Sequence, residues 1–156
     1  MARRVFFSFK YKKDVSRAMV VRNSWVTQGK EAAGFIDAAD FEKLRRQGDQ
    51  AIETWIDGQL KGTSVTVALV GAATCGSRWV KYEIEQSKAL GHGLLGIDIS
   101  KIKDLDGHTT ERCGRIPEGY DFYLWNNDDG YNNMGDWIEK AAKEVYAKPR
   151  SLLLME

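Results

Sequence analysis

The residues Ser64-Val65-Thr66-Val67-Ala68-Leu69-Val70 have the composition of a β-strand, because β-branched and apolar side chains dominate and no glycine or proline interrupts them. A loop of small residues, 71–77, follows, and residues 78–90 then place apolar side chains at helical spacing until Gly91. A glycine directly after the last helical residue is typical of a helix C-terminus. This stretch therefore predicts a strand, a loop and a helix in succession, which is the repeating unit of an α/β sheet.

The alternation of strands and helices extends in both directions from this unit. Short apolar runs predict four further strands, at residues 4–9, 35–37, 94–99 and 122–125. Apolar positions at helical spacing predict helices at 15–27 with Asp14 as the N-cap, at 39–60 with an interruption at Gly48, and at 134–147 before Pro149. Residues 101–119 are polar and rich in glycine, and we expect them to form the longest irregular loop.

Strands that alternate with helices imply right-handed crossovers and a mostly parallel sheet. We therefore predict an α/β fold of three layers, with a flavodoxin-like, five-stranded sheet and helices on both faces. A length of 156 residues suits a single domain over 1–156, with a core at about 4–147 and a C-terminal tail at 148–156. Because ligands of such sheets bind outside the carboxyl ends of the strands, we expect a site in the loops that follow the first three strands.

The composition argues against several classes of function. The chain contains 23 Lys plus Arg and 22 Asp plus Glu, a net charge of +1, so we expect neither nucleic acid nor a membrane as a partner. It has no signal-peptide core and no apolar run of the roughly 18 residues that a membrane span requires, and we expect a cytoplasmic protein. Cys75, Cys113, His92 and His108 lack metal-ligand spacing, so neither a metal site nor a disulfide scaffold is expected.

The common sequence signatures of α/β enzymes are missing. No GxGxxG follows the first strand, and the chain contains neither a GxxxxGK[ST] phosphate loop nor a GxSxG nucleophile elbow. A phospho-acceptor receiver would need acidic residues after strands one and three, where this chain has Phe9-Lys10 and Gly71-Ala72. A flavodoxin-like nucleotide-binding protein stays open as an alternative, which a co-purifying flavin would reveal.

Glu83 breaks the apolar pattern of the helix predicted at 78–90. It shares a helix face with Trp79 and Val80, so a carboxylate lies beside an inward-facing indole near the positive end of the helix dipole. Such a setting tunes carboxylate chemistry. The helix pattern alone favours a boundary glutamate paired with a neighbouring Lys or Arg. The position of Glu83 beside the predicted cleft favours a functional carboxylate.

Three other places near the predicted cleft carry polar chemistry, each with a structural alternative. Lys10, Lys12 and Lys13 follow the first strand, where they could meet the pyrophosphate of a ligand or form a solvated turn. Asp37 ends the second predicted strand, where it could accept hydrogen bonds from ribose hydroxyls or cap the next helix. Cys75 precedes a helix and could act as a nucleophile, but a buried structural thiol is the better interpretation because no His is near in sequence.

Several longer segments carry a resemblance to a known family. Val5-Phe6-Phe7-Ser8-Phe9, Phe35-Ile36-Asp37 and Trp79-x-x-x-Glu83 together resemble a TIR domain. A narrower resemblance rests on residues 4–9, Val20-Val21-Arg22-Asn23-x-Trp25-Val26, Thr63-Ser64-Val65-Thr66, residues 78–84 and Trp125-x-x-Asp128-Asp129-Gly130-Tyr131-Asn132. These segments are similar to the bacterial TIR proteins of the Thoeris antiphage-defence system, and they span nearly the whole chain.

The resemblance implies an enzyme that consumes NAD+ as its substrate, without a further cofactor. Such an enzyme cleaves the bond between nicotinamide and ribose and, in Thoeris members, cyclises the remainder into an isomer of cyclic ADP-ribose. The diffusible product activates a partner effector protein, and two TIR protomers commonly complete one site, which implies self-association. The resemblance assigns catalysis to Glu83 and substrate binding to Ser8, Phe9, Lys10, Asp37 and Trp79.

The chemistry of a carboxylate agrees with this implication on independent grounds. Departure of nicotinamide leaves positive charge on the ribose carbon, and a nearby anion such as Glu83 stabilises that state. The main alternative is a TIR interaction module that acts as a scaffold without turnover. Because a scaffold has no need of a carboxylate in a desolvated cleft, Glu83 together with Trp79 favours the enzyme.

Overall fold

The computed structural model describes residues 4–36 and 38–147, and its sheet has the predicted flavodoxin-like order. Within these residues the strands are β1 (Val5–Ser8), β2 (Ala32–Ala33), β3 (Val65–Val70), β4 (Gly93–Asp98) and β5 (Phe122–Leu124). They pair in the order β2-β1-β3-β4-β5, and every pair is parallel. The prediction of an α/β fold with a parallel sheet is confirmed.

In the described part of the chain, helices connect β1 to β2, β2 to β3 and β3 to β4, an irregular loop connects β4 to β5, and a last helix follows β5. The helices are α1 (Tyr11–Val26), α2 (Ala38–Gln47), α3 (Asp49–Leu60), α4 (Arg78–Ala89) and α5 (Gly130–Ala147), and a single 3-10 turn (Thr74–Gly76) precedes α4. Gly48 separates α2 from α3 with a φ of +101°, a conformation that disfavours other residues. The interruption predicted at Gly48 is therefore a complete break between two helices.

The helices cover both faces of the sheet, because the side chains of each strand alternate between the faces. Val5 and Phe7 of β1 pack against residues of α1 and α5, whereas Phe6 packs against α3. Ala68 of β3 lies on the same face as Phe6 and contacts a cluster that includes Val80 of α4. The predicted three-layer arrangement is confirmed.

The strand predicted at residues 35–37 is wrong. The second strand consists instead of Ala32–Ala33, which pairs with Val5 and Phe6 of β1. Gly34 follows with a φ of +94°, which turns the chain out of the extended conformation. Phe35 and Ile36 therefore lie in the loop after β2, and Asp37 lies outside the described residues.

The N-cap predicted at Asp14 is also wrong. Helix α1 begins at Tyr11, and Lys10 occupies the N-cap position. Asp14 is fully buried in the first turn, with its carboxyl group against Gly71, and this burial raises the pKa of Asp14. The start of the helix was hidden because Lys10, Tyr11 and Lys12 line a cleft, so the first turn does not show an apolar pattern.

Helix α5 begins at Gly130, earlier than the predicted residue 134. Gly130 packs against the indole ring of Trp125, where a side chain has no room. The carboxyl group of Asp128 accepts a hydrogen bond from the backbone N–H of Leu124 at 2.7 Å, which fixes the chain just before the helix. Residues 130–133, which lie before the predicted helix, therefore form its first turn. The predicted tail at 148–156, including Pro149, lies outside the described residues.

The expectation of a buried structural thiol at Cys75 is wrong. Cys75 is exposed and forms a disulfide with Cys113, with 5.2 Å between the two Cα atoms. The backbone N–H of Cys75 donates to the carbonyl of Cys113 at 2.8 Å, and that of Cys113 donates to the carbonyl of Gly71 at 2.9 Å. The loop at 101–119 is thereby held beside the loop at 71–77, a proximity that a separation of 38 residues hides in the sequence.

Residues 4–36 and 38–147 contain neither a membrane-spanning helix nor a metal-binding cluster. None of the helices there combines the length and the apolar character needed to cross a membrane. In the same residues no three His, Cys, Asp or Glu side chains are grouped so that they could hold a metal ion.

We predict that Gly71→Ala destabilises the protein by about 1–3 kcal/mol, because overpacking of a buried contact carries a cost of that order. A Cβ atom at Gly71 would lie 2.5 Å from the carboxyl carbon of Asp14, whose side chain is fully buried. Gly58→Ala in α3 is the matched control, since a Cβ there meets nothing within 4 Å, and we expect it to stabilise the protein by up to about 1 kcal/mol. Urea unfolding of both variants measures the difference, and equal stabilities would contradict this description of the Asp14 contact.

Candidate active site

A cleft of about 280 Å³ opens at the carboxyl edge of the sheet, where the fold places ligand sites. It lies between the start of α1, the segment after β2, the helices α2 and α3, and the N-terminal part of α4. Most of its wall is apolar or aromatic. Among the described residues, four charged side chains line it: Lys10, Lys12, Arg45 and Glu83. The cleft thus combines flat apolar surfaces for rings with a small number of charges, as ligand pockets usually do.

Glu83 lies in the inner wall of this cleft and is 93% buried, its exposed fraction being 7%. The hydroxyl of Ser8 donates a hydrogen bond to its Oε1 atom at 2.7 Å. Burial raises the pKa of Glu83 to about 8, and the hydrogen bond from Ser8 opposes part of that rise. With a pKa of about 8, the carboxyl group is mostly protonated at neutral pH and close to the point at which it ionises.

The sequence alternative, an ion pair between Glu83 and a neighbouring Lys or Arg, is not found. Within the described residues the side-chain partner of Glu83 is the hydroxyl of Ser8, and no cation contributes to its pKa. A salt bridge would have lowered the pKa of Glu83 instead of leaving burial to raise it. The carboxyl group is thus held in a desolvated position without charge compensation.

Three features of α4 place Glu83 in the cleft. The side chain of Ser77 caps the helix by accepting a hydrogen bond from the N–H of Val80 at 3.3 Å. Val80 and Ile84 pack onto the sheet, so the side chain between them on the helix surface is directed to the edge of that contact. The hydroxyl of Ser87 contacts both the carbonyl of Glu83 and the hydroxyl of Thr66 in β3, each at 2.7 Å. Helix α4 is therefore joined to the central strand β3 through hydrogen bonds at the backbone of Glu83.

Aromatic side chains form much of the rest of the wall. Trp79 lies one helical turn before Glu83 and packs edge-on against Tyr82, with 5.8 Å between ring centroids. Tyr11 and Phe41 stack at 4.9 Å between centroids and link α1 to α2. Phe9 lies at the end of β1 and also faces the cleft. Such rings provide platforms on which the flat rings of a ligand can stack.

The fold brings together most of the residues that the sequence singled out. Phe9, Lys10, Trp79 and Glu83 all line the cleft. Ser8 is fully buried behind Glu83 and reaches the cleft through its hydrogen bond to that carboxyl group. Asp37 belongs to the residues that the structure does not describe, so its predicted role in substrate binding stays a prediction.

Sequence reasoning missed the contribution of α2 and α3. The cleft is also lined by Phe41 and Arg45 of α2 and by Trp55 of α3. The helical spacing of Phe41 and Trp55 suggested only core packing. One signal was available, because Arg45 follows Phe41 by four residues and therefore lies on the same helix face. A charged side chain on an otherwise apolar helix face indicates that this face borders a cleft, as Glu83 does on α4.

We predict that Glu83→Gln makes the protein more stable above pH 5, by a margin that grows with pH. The unfolded chain loses the Glu83 proton near the ordinary pKa of 4.5, whereas the folded protein keeps it to about 8. Stability therefore falls as pH rises between these values, with a limiting slope of about 1.4 kcal/mol per pH unit, and the penalty is constant above them. Glutamine has nearly the same shape but no charge to bury.

Urea unfolding at pH 5, 7 and 9 measures this effect. Glu85→Gln is the matched control, because Glu85 lies on the same helix with an exposed side chain. We expect its difference from the wild type to stay constant with pH. Parallel pH profiles for the wild type and Glu83→Gln would show that the carboxyl group is not buried as described.

Comparison with known proteins agrees with this geometry. Residues 6–104, which include β1 to β4 and the described residues of the cleft, match the family model of the Thoeris protein ThsB, TIR-like domain. A protein of Bacillus cereus (strain MSX-D12) with the name "Putative cyclic ADP-D-ribose synthase ThsB1" is 40% identical over 139 residues, which is 88% of this chain and 72% of that relative. The chain therefore belongs to the TIR-like domain family of the Thoeris protein ThsB.

Proposed function

We propose that this protein is an NAD+-consuming enzyme of Thoeris-type antiviral defence, which cleaves the bond between nicotinamide and ribose and cyclises the remainder to an isomer of cyclic ADP-ribose. The observation that carries the proposal is Glu83, a buried carboxyl group without a cationic partner in an aromatic cleft. Family membership supports it, as does the name of the Bacillus cereus relative, which describes a cyclic ADP-D-ribose synthase.

The charge of the substrate explains how a protonated carboxyl group becomes a catalytic anion. The nicotinamide ring of NAD+ is positively charged, and an opposite charge beside Glu83 lowers the pKa of that group. Binding of the substrate therefore ionises Glu83, and its proton leaves to solvent. The hydroxyl of Ser8 continues to donate to Oε1 and holds the carboxylate in one orientation.

The reaction needs one bond to break before another forms. The bond between the ribose carbon and the nicotinamide nitrogen breaks, and neutral nicotinamide leaves with the electron pair. The ribose is left with an oxocarbenium-like positive charge, which the Glu83 carboxylate stabilises in the low-dielectric cleft. A nucleophilic group within the ADP-ribose part, either a hydroxyl or a ring nitrogen, then attacks the ribose carbon to close the cyclic product, or water attacks to give ADP-ribose. A proton is released in either case.

The size of the cleft bears on assembly. Its volume of about 280 Å³ lies at the lower end of ligand pockets, which hold roughly 300–1,000 Å³. It therefore accommodates one end of a dinucleotide, and the other end extends beyond its mouth. We propose that a second copy of the chain covers that part of the substrate and completes the site. We further propose that the released product acts as a diffusible signal for an effector protein.

We predict that purified wild-type protein at high concentration releases nicotinamide from NAD+, with and without lysate of phage-infected cells. Loss of a charge-stabilising group typically lowers kcat by about 100-fold to 1,000-fold, and we expect at least this loss for Glu83→Gln. Glu85→Gln should keep wild-type activity, because its side chain is exposed away from the cleft.

Chromatography with mass detection separates the products, since ADP-ribose exceeds the cyclic isomer by one water. Equal turnover by the wild type and Glu83→Gln would refute the role of Glu83. A complete lack of turnover in every condition would favour the alternative, a TIR module that acts as a scaffold.

The pH dependence of the reaction tests the same group. We predict that kcat/KM rises with pH up to about 8, because this parameter reports the free enzyme, in which Glu83 is protonated below that value. The rise in kcat should occur at lower pH, since bound NAD+ lowers the pKa of Glu83. Ser8→Ala removes the hydrogen bond that favours the anion, so we expect the kcat/KM profile to shift to higher pH. An unchanged profile in Ser8→Ala would contradict this account.

A further inference from the structure

Three charged side chains form a bridge across the mouth of the cleft. The Oε2 atom of Glu42 accepts hydrogen bonds from Nη2 and Nε of Arg45, at 2.8 and 3.1 Å. The Oε1 atom of the same carboxylate lies 3.4 Å from Nζ of Lys12. Lys12 belongs to the first turn of α1, and the other two residues belong to α2. Glu42 thus connects the two helices that border the cleft.

Both cations of this bridge face the cleft, but the carboxylate that holds them does not. Lys12 and Arg45 are lining residues together with Lys10, whereas Glu42 lies outside the lining set. Arg78, at the start of α4, is occupied elsewhere by an ion pair with Asp49 at 2.8 Å. Among the described residues that line the cleft, three are cations (Lys10, Lys12 and Arg45), and Glu83 is the one with a carboxyl group.

The geometry around Glu42 is that of an oxyanion site occupied by a side chain of the protein itself. The Nε–H and Nη2–H groups on one edge of the Arg45 guanidinium both donate to the same oxygen of Glu42, and this edge can equally donate to the oxygens of a phosphate. The side chains of Lys12 and Arg45 remain more than half exposed, and ion pairs of exposed side chains are weak. An incoming anion with two charges therefore displaces Glu42 at little cost.

We propose that Lys12 and Arg45 bind the pyrophosphate of the dinucleotide substrate and that Glu42 occupies them until the substrate displaces it. The identity of the substrate rests on the proposed function, whereas the assignment of Lys12, Glu42 and Arg45 rests on the bridge itself. The three residues are specificity determinants, because a substrate without a pyrophosphate gains nothing from the two cations. They do not take part in bond cleavage, since Glu83 lies in the inner wall of the cleft.

Binding measurements test this proposal without requiring turnover. In the Glu83→Gln background, the fluorescence of Trp55 and Trp79 in the cleft reports ligand binding. The two probes are NAD+ and nicotinamide riboside, which share the nicotinamide and its ribose, whereas only NAD+ carries the pyrophosphate and the adenosine. We expect Arg45→Met and Lys12→Met each to weaken NAD+ binding about tenfold, as loss of a charge-assisted hydrogen bond does. Binding of nicotinamide riboside should stay unchanged.

Glu42→Gln provides the opposite change. It frees both cations from their internal partner, so we expect NAD+ to bind several-fold more tightly and nicotinamide riboside to bind as before. Arg46→Met is the matched control, because Arg46 is the adjacent exposed arginine of α2 and does not line the cleft. In the wild-type background we expect Arg45→Met to raise KM for NAD+ and to leave kcat nearly unchanged.

The outcomes separate this inference from the proposed function. If the variants shift NAD+ binding as expected and the wild type shows no turnover, the inference stands and the cleavage reaction is refuted. If the wild type turns over NAD+ but Arg45→Met and Lys12→Met bind it as Arg46→Met does, the inference is overturned. Weaker NAD+ binding by Glu42→Gln would overturn the displacement of Glu42. An absence of NAD+ binding in the Glu83→Gln background would overturn the displacement and also the assignment of Lys12 and Arg45 to the pyrophosphate.

Discussion

The hydrogen bond between the hydroxyl of Ser8 and the carboxyl group of Glu83 joins the carboxyl end of β1 to α4, and the cleft is built around it. Burial of a carboxyl group with a single donor and no cation lowers the stability of the fold. Helix α4 nevertheless keeps this position, because Val80 and Ile84 pack on the sheet and Ser87 is hydrogen-bonded to Thr66 of β3. The stability that the core provides thus maintains an unfavourable group where it can be used.

Charge is distributed unevenly along the cleft, and this distribution orients the proposed substrate. The inner wall holds Glu83, whose raised pKa keeps it mostly neutral at pH 7. In the proposed reaction the cationic nicotinamide ring of the substrate converts it to an anion. The mouth holds Lys12 and Arg45 around Glu42. A molecule with a cationic ring at one end and a pyrophosphate in its middle matches this order of charges. The aromatic surfaces between the two regions support its rings without adding charge.

The sequence predicted the fold where the pattern of several residues decided it. The strand at Val65–Val70 and the helix Arg78–Ala89 lie where composition and spacing indicated, and the helix contributes Trp79 and Glu83 to the cleft. The errors occurred where a few contacts decide the course of the backbone. Gly34 ends β2 by a positive φ, and the carboxyl group of Asp14 turns inward against Gly71 and does not cap its helix. Neither event leaves a periodic signal in the sequence.

The sequence by itself determined the α/β alternation and marked Glu83 beside Trp79 as a charge on an apolar helix face, because periodicity and an anomalous charge are local properties of the chain. Only the tertiary structure decided that Glu83 is paired with Ser8, 75 residues away, that α2 supplies Arg45 to the cleft, and that Cys75 meets Cys113. Burial and charge compensation depend on groups distant in sequence. The pKa of Glu83 and the bridge at Glu42 therefore follow from how the helices pack on the sheet.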